Sequence, residues 1–222
     1  MEHTLTAVDD DLQALAADVA DMGELAVNQV RAAVDCVLRQ DAPVAALVAA
    51  ADERLDEFDA DIERRAVRFI ALRQPVADDL RRPIVAMKTA MQLERVGDLA
   101  KNIAKRIGQL DSKPAPGQAE ALVKLGELVA DRLAAVINAY RSSNAAAAFE
   151  VWSRDTEVDE MHEAAFSDIL ACMIKDSSSA SVCSHLMFIA KNLERIGDHA
   201  TNIAELVYYQ ISGQDLSGRP KL

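Results

Sequence analysis

The chain has 222 residues, half of them hydrophobic but only 4% aromatic, with 40 alanines against 8 glycines and 6 prolines. Such a composition is helical, because alanine costs least to place in a helix, and it argues against turn-rich β-sandwiches. Thirty-six acidic against 24 basic residues leave a formal charge of −12, which disfavours nucleic acid and anionic lipid as partners.

The length suits one domain or two small ones. The longest uncharged run, Ser177 to Ala190, is 14 residues, short of the roughly 18–20 needed to span a bilayer. The chain opens Met1-Glu2-His3 and soon reaches Asp9-Asp10-Asp11, which is not a secretory signal, so no direct membrane insertion is expected. Cys36, Cys172 and Cys183 form no Cys-x-x-Cys pair. Reduced thiols in a cytoplasmic protein fit them best.

The first helical segment carries Leu12, Leu15, Val19, Met22 and Ala26 in steps of three and four. Gln40-Asp41-Ala42-Pro43 closes it and opens the second, where Leu55, Phe58 and Ile62 continue a similar stripe. Pro43 is tolerable only in a first turn. Gln74-Pro75 separates the third segment, whose seam is Leu93, Val96, Ala100, Ile103, Ile107 and Leu110. Pro83 either stands in the first turn of that helix or kinks it. The Pro/Gly-rich stretch Asp111 to Gly117 is a linker. Beyond it, Ser142-Ser143-Asn144 divides the fourth and fifth segments, and Asp176 to Ser179 offers N-caps for the sixth. The sixth repeats the seam at Leu193, Ile196, Ala200, Ile203 and Val207. Narrow seams of this spacing are bundle-forming.

The two halves are copies. Met22-Gly23-Glu24-Leu25 returns as Leu125-Gly126-Glu127-Leu128, and Asp52-x-x-x-Asp56-Glu57 as Asp155-x-x-x-Asp159-Glu160, both 103 residues on. Leu93-Glu94-Arg95-Val96-Gly97-Asp98 returns as Leu193-Glu194-Arg195-Ile196-Gly197-Asp198, 100 residues on. Eleven of 24 positions agree between residues 85–108 and 185–208. The expectation is an all-α protein of two tandem three-helix bundles, six helices in total, related by the repeat. The first bundle spans residues 1–112 and the second 118–213, followed by a flexible tail at 214–222.

Glu94/Asp98 and Glu194/Asp198 are four residues apart, as are Asp52/Asp56 and Asp155/Asp159, so each pair shares one helix face. If neighbouring helices align these faces, each bundle gathers four carboxylates, with Asn102 or Asn202 one turn further on. Like charges at that spacing repel, and a cation would relieve them. Oxygen ligands suit hard cations such as Mg²⁺, Ca²⁺, Mn²⁺ or oxidised iron. Glu94 and Asp98 lie roughly 150–190° from their seam, so a metal site here would be an open surface one. The plainer alternative is a solvated acidic face with Arg95 and Arg195 in surface ion pairs. Gly97 and Gly197 cost about 1 kcal/mol each inside helices, which points to close helix approach. His3, His162, His185 and His199 are scattered, and no nucleophile–base set stands out, so an enzyme is not expected.

The strings Leu72-Arg73-Gln74-Pro75-Val76-Ala77-Asp78-Asp79-Leu80-Arg81, Leu93 to Ala104 and Ala190 to Glu205, with Val151-Trp152-Ser153-Arg154-Asp155 and Tyr208-Tyr209, resemble the PhoU family of phosphate-signalling regulators. The likeness covers nearly the whole chain. It implies two tandem three-helix bundles and, in some members, multinuclear metal clusters on the acidic motifs. Those motifs are Asp52, Asp56, Glu94, Asp98, Asp155, Asp159, Glu194 and Asp198 here, with Asn102 and Asn202 as further candidates. The metal, whether iron, manganese, magnesium or zinc, is left open. The resemblance further implies a negative regulator of phosphate uptake and of the phosphate-starvation response. Its partners would be the ATPase of a phosphate ABC transporter and a sensor histidine kinase, and it would be a homodimer. Pro83 and the proline-free turn Lys175-Asp176-Ser177-Ser178 depart from the family pattern. Rival readings of the same carboxylates are a metal-dependent hydrolase or oxidase, and a metal-buffering protein.

Overall fold

A computed structural model describes residues 2–39 and 42–216, all of whose regular structure is helical. The elements are α1 (Glu2–Arg39), α2 (Ala42–Arg73), α3 (Asp78–Ile107), α4 (Pro116–Arg141), α5 (Ala145–Ser153), α6 (Thr156–Lys175) and α7 (Ala180–Ser212). A 3-10 turn, Ser177–Ser179, leads into α7. The break expected at Gln40-Asp41 lies outside the described residues, as does the tail beyond Leu216; residues 214–216 are non-helical. No described helix is long and apolar enough to cross a membrane.

The helices form where the apolar seams are. Leu12, Leu15, Val19, Met22 and Ala26 are all buried, as are Leu93, Val96, Ala100, Ile103 and Ile107, and Leu193, Ile196, Ala200, Ile203 and Val207. Helices α1, α2 and α3 pack on one another as one bundle, and α4, the α5–α6 pair and α7 as the other. The fifth expected helix therefore comes in two pieces. They part at Arg154-Asp155, and both pack against α4 and α7. Asn144 caps α5 by accepting a 3.0 Å hydrogen bond from the Ala147 amide. Asp176 holds the turn before α7 by accepting from the Ser178 amide at 3.0 Å.

Two boundaries differ from the sequence expectation. Helix α4 starts at Pro116, inside the linker, because a proline at the start of a helix costs no hydrogen bond. Pro83 is not in the first turn: α3 begins at Asp78 and runs through it. The tight turn before α3 is bought with left-handed backbone at Gln74 (φ 47°) and Ala77 (φ 50°).

The bundles share one core, joined by α1 against α4 and α3 against α7. The α1–α4 contact is reciprocal. A Cβ on Gly23 would meet Ile137 Cδ1 at 2.5 Å, and one on Gly126 would collide with Val34. Gly126 and Ile137 are the repeat counterparts of Gly23 and Val34, each 103 residues on. The duplication therefore builds a pseudo-two-fold joint, the intrachain equivalent of an isologous dimer contact. Arg31–Asp131 at 3.1 Å and Arg141–Glu24 at 2.5 Å flank it.

Candidate acidic clusters and the joint between them

The first cluster lies where α2 crosses α3. A Cβ on Gly97 would strike Leu55, and would stand 3.3 Å from Asp52 Oδ1. Glycine thus lets α2 come close enough to press Asp52 against α3. As a result Asp52 is only 3% exposed. This corrects the outward position expected for it: Val48, Asp52, Leu55, Ile62 and Ala66 form the buried stripe of α2, and the first aspartate of the motif stands within that stripe. Asp56 is exposed, and Glu94 and Asp98 are half-buried.

Lys101, one turn after Gly97, donates to Asp52 Oδ2 in a short ion pair, and its Nζ lies 3.7 Å from Asp98 Oδ1. Its hydrogen bond to Asp52 pushes the ammonium above the usual lysine range. Arg95 Nε sits 3.4 Å from Glu94, and Nη1 4.0 Å from Asp98. Desolvation raises the Asp56 carboxyl, with Asp52 and Asp98 adding to it. Burial likewise raises Glu94, with Asp98, Asp56 and Asp59 adding to the rise against the pull of Arg95. Asp59, which the motif reading passed over, is raised by burial and by Glu63 and Asp56. The first site therefore sets Asp52, Asp56 and Asp98 about the Lys101 ammonium, with Glu94 and Asp59 beside them under the pull of Arg95.

The second cluster has the same plan with different chemistry. Gly197 again marks the crossing, where a Cβ would meet Val158 Cγ1 at 2.8 Å. Asp155 precedes the first residue of α6, whereas its counterpart Asp52 lies well inside α2. Thr201, the counterpart of Lys101, donates its hydroxyl to Asp155 Oδ1 at 2.6 Å. Glu194 Oε2 is 2.6 Å from Lys191 Nζ. Asp159 and Asp198 are half-buried. His162 stands at the repeat position of Asp59, and its Nε2 is buried with no hydrogen-bond partner among the described residues. At the start of α6, Glu157 takes Arg154 at 2.7 Å and Arg132 of α4.

The two asparagines are not equivalent. Asn102 is exposed. Asn202 donates its amide to Gln92 Oε1 of α3 at 3.2 Å, and His199 Nδ1 lies 2.7 Å from the same oxygen. His199 is thus a joint residue between the halves. Desolvation, then Arg195 and Arg95, hold its pKa below the ordinary histidine value. Cys36 and Cys183 are buried and Cys172 half-buried, none of them in a disulfide.

The donor sets test the implied metal clusters residue by residue. In the first set an ammonium already bonds to Asp52 and reaches Asp98. Among the described residues, no three His, Cys, Asp or Glu side chains converge closely enough to hold a metal ion.

A duplicated α-protein whose two bundles carry matched charged clusters on open helix crossings is a scaffold for binding and regulation. The PhoU domain model matches residues 19–107 and 122–207. A phosphate-specific transport system accessory protein PhoU homolog of Caulobacter vibrioides is 47% identical over 223 residues, covering 100% of this chain and 97% of that protein. Its counterpart in Zymomonas mobilis is 41% identical, covering 99% and 92%. The crystal structure of PhoU from Pseudomonas aeruginosa superposes with a TM-score of 0.89 at 31% identity, covering 93% of this chain and 99% of that one. That of the phosphate transport system regulatory protein PhoU from Streptococcus pneumoniae gives 0.88 at 27%, covering 95% and 99%. The chain belongs to the PhoU family.

Proposed function

We propose that the protein restrains phosphate uptake and the phosphate-starvation response when phosphate is plentiful, by contact with a phosphate transporter ATPase and a sensor histidine kinase. The observation that carries this reading is the family match across both halves, with a 47%-identical accessory-protein relative over the full chain. The family regulates rather than catalyses, and membership lends nothing to a metal-dependent hydrolase or a metal buffer.

The mechanism is partner contact by helix faces. Helix α6 exposes Phe166, Leu170 and Ile174 at four-residue spacing, Ile174 to 76%. An apolar stripe of this kind, set in a chain of charge −12, suits a protein partner more than water. A homodimer working in the cytoplasm completes the reading. Metal on the acidic faces would add positive charge there, but the proposed role does not depend on it.

The test is genetic. Deleting the gene and assaying alkaline phosphatase in high phosphate is expected to show derepressed enzyme, restored to low levels by the wild-type gene. Unchanged repression in the deletion strain would overturn the reading.

A further inference from the structure

We propose that Lys101 is the resident counter-cation of the first acidic cluster and closes that cluster to divalent metal. In the second cluster a neutral hydroxyl, that of Thr201, stands in the same place.

The internal repeat supplies the comparison. Residues 101 and 201 occupy the same position, four residues beyond Gly97 and Gly197, and each donates to the first aspartate of the preceding helix's motif. In the first half that donor is an ammonium, in contact with Asp52 Oδ2 and 3.7 Å from Asp98 Oδ1. In the second half it is a neutral hydroxyl, 2.6 Å from Asp155 Oδ1. A divalent ion bridging α2 and α3 would need the carboxylate oxygens that Lys101 already holds. It would also face a positive charge at contact distance. To enter, it must evict the ammonium from Asp52, which is 3% exposed. The ion must therefore out-compete an ammonium already held, by contact, on a buried acid of the same chain.

Lys191, beside the second cluster, does not play the same part. Lys191 reaches Glu194 at 2.6 Å, but its side chain is 55% exposed, against 28% for Lys101. Its partner is three residues along the same helix, so the pair ties no second helix into the cluster. Lys101 instead ties two helices together through a buried acid.

Direct counting of bound Mn²⁺ tests this, using electron paramagnetic resonance of the free ion on the full chain after chelator treatment at neutral pH. Asp98→Asn in the otherwise natural protein is expected to leave the Mn²⁺ bound per chain unchanged. Lys101→Thr, which copies the second half and lets Asp52, Asp56 and Asp98 close on an ion in the ammonium's place, is expected to gain at least one Mn²⁺ per chain, and adding Asp98→Asn to it should remove the gain. Mn²⁺ should also raise the Tm of Lys101→Thr more than that of the natural protein. Loss of Mn²⁺ from the natural protein on Asp98→Asn would overturn the proposal, whether or not Lys101→Thr folds. So would a folded Lys101→Thr that binds no more Mn²⁺ than the natural chain.

Discussion

His199 sits between the halves with its Nδ1 2.7 Å from Gln92 Oε1, and desolvation holds its pKa below the usual value. The folded protein therefore keeps the imidazole neutral at a pH where the unfolded chain, with a histidine pKa near 6.5, has taken up a proton. The unfolded state binds more protons in that window. His199 thus costs stability as pH falls below about 6.5, and the loss levels off below the depressed folded value. Replacing it by glutamine, which can still bond across to Gln92, should flatten the Tm profile between about pH 5 and 7. Thermal melts of both proteins over that range check it; parallel profiles would refute the assignment. Thr201 makes a second case. Its hydroxyl bonds to the Asp155 carboxylate at 2.6 Å, and bonds to charged groups are worth about 1.5–3 kcal/mol. Thr201→Val should lower stability by about that amount in urea titration. Neither role was legible from spacing. The motif reading weighed carboxylates against one another, while the residue that sets each cluster's charge, Lys101 or Thr201, stood one turn further along as an unremarked mismatch between the copies.

At the scale of elements, most of the architecture is written in the seams and punctuation. Asn144 and Asp176 start helices for chemical reasons visible in the chain. The glycines repeated at 97 and 197 do mark close crossings. The gap between α5 and α6 was not legible, because Trp152-Ser153-Arg154-Asp155 holds no proline or glycine. What accompanies the break is tertiary: Arg132 reaches from α4 to Glu157, which Arg154 also holds. The burial of Asp52 escaped for a related reason. An acidic residue on an apolar stripe reads as an exposed one until the facing helix supplies a lysine. Helix crossing also gives a contrast that can be measured. Gly97→Ala would drive a methyl into Leu55, whereas a Cβ on Gly117 meets nothing within 4 Å. Overpacking costs about 1–3 kcal/mol, more than the about 1 kcal/mol that alanine gains in a helix. Gly97→Ala should therefore lower the Tm and Gly117→Ala leave it level or raise it. Differential scanning calorimetry separates the two, and equal shifts would show that the close approach at Gly97 is not tight.

For the whole molecule, the duplication has produced two bundles that lean on each other. Val34 fills the notch at Gly126 and Ile137 the notch at Gly23, while α3 and α7 meet through Gln92, His199 and Asn202. One buried apolar cluster runs from Leu15 of α1 to Val207 of α7. Removing either half would strip the other of half of this joint, so the two should unfold together despite a length at which intermediates are common. The sequence provides a local reporter. Trp152 is the only tryptophan, and it lies in the second half with its indole N–H donating to Glu205 at 3.0 Å. Its fluorescence follows the second bundle, whereas far-ultraviolet circular dichroism follows all helices. In urea the two signals should share one midpoint. Gly23→Val, a change in the first bundle that crowds Ile137, should move both midpoints down together, by the roughly 1–3 kcal/mol of an overpacked contact. A fluorescence midpoint that stays in place while the dichroism curve splits would mean that the halves unfold separately. The pseudo-two-fold joint would then be a docking contact between two independent domains.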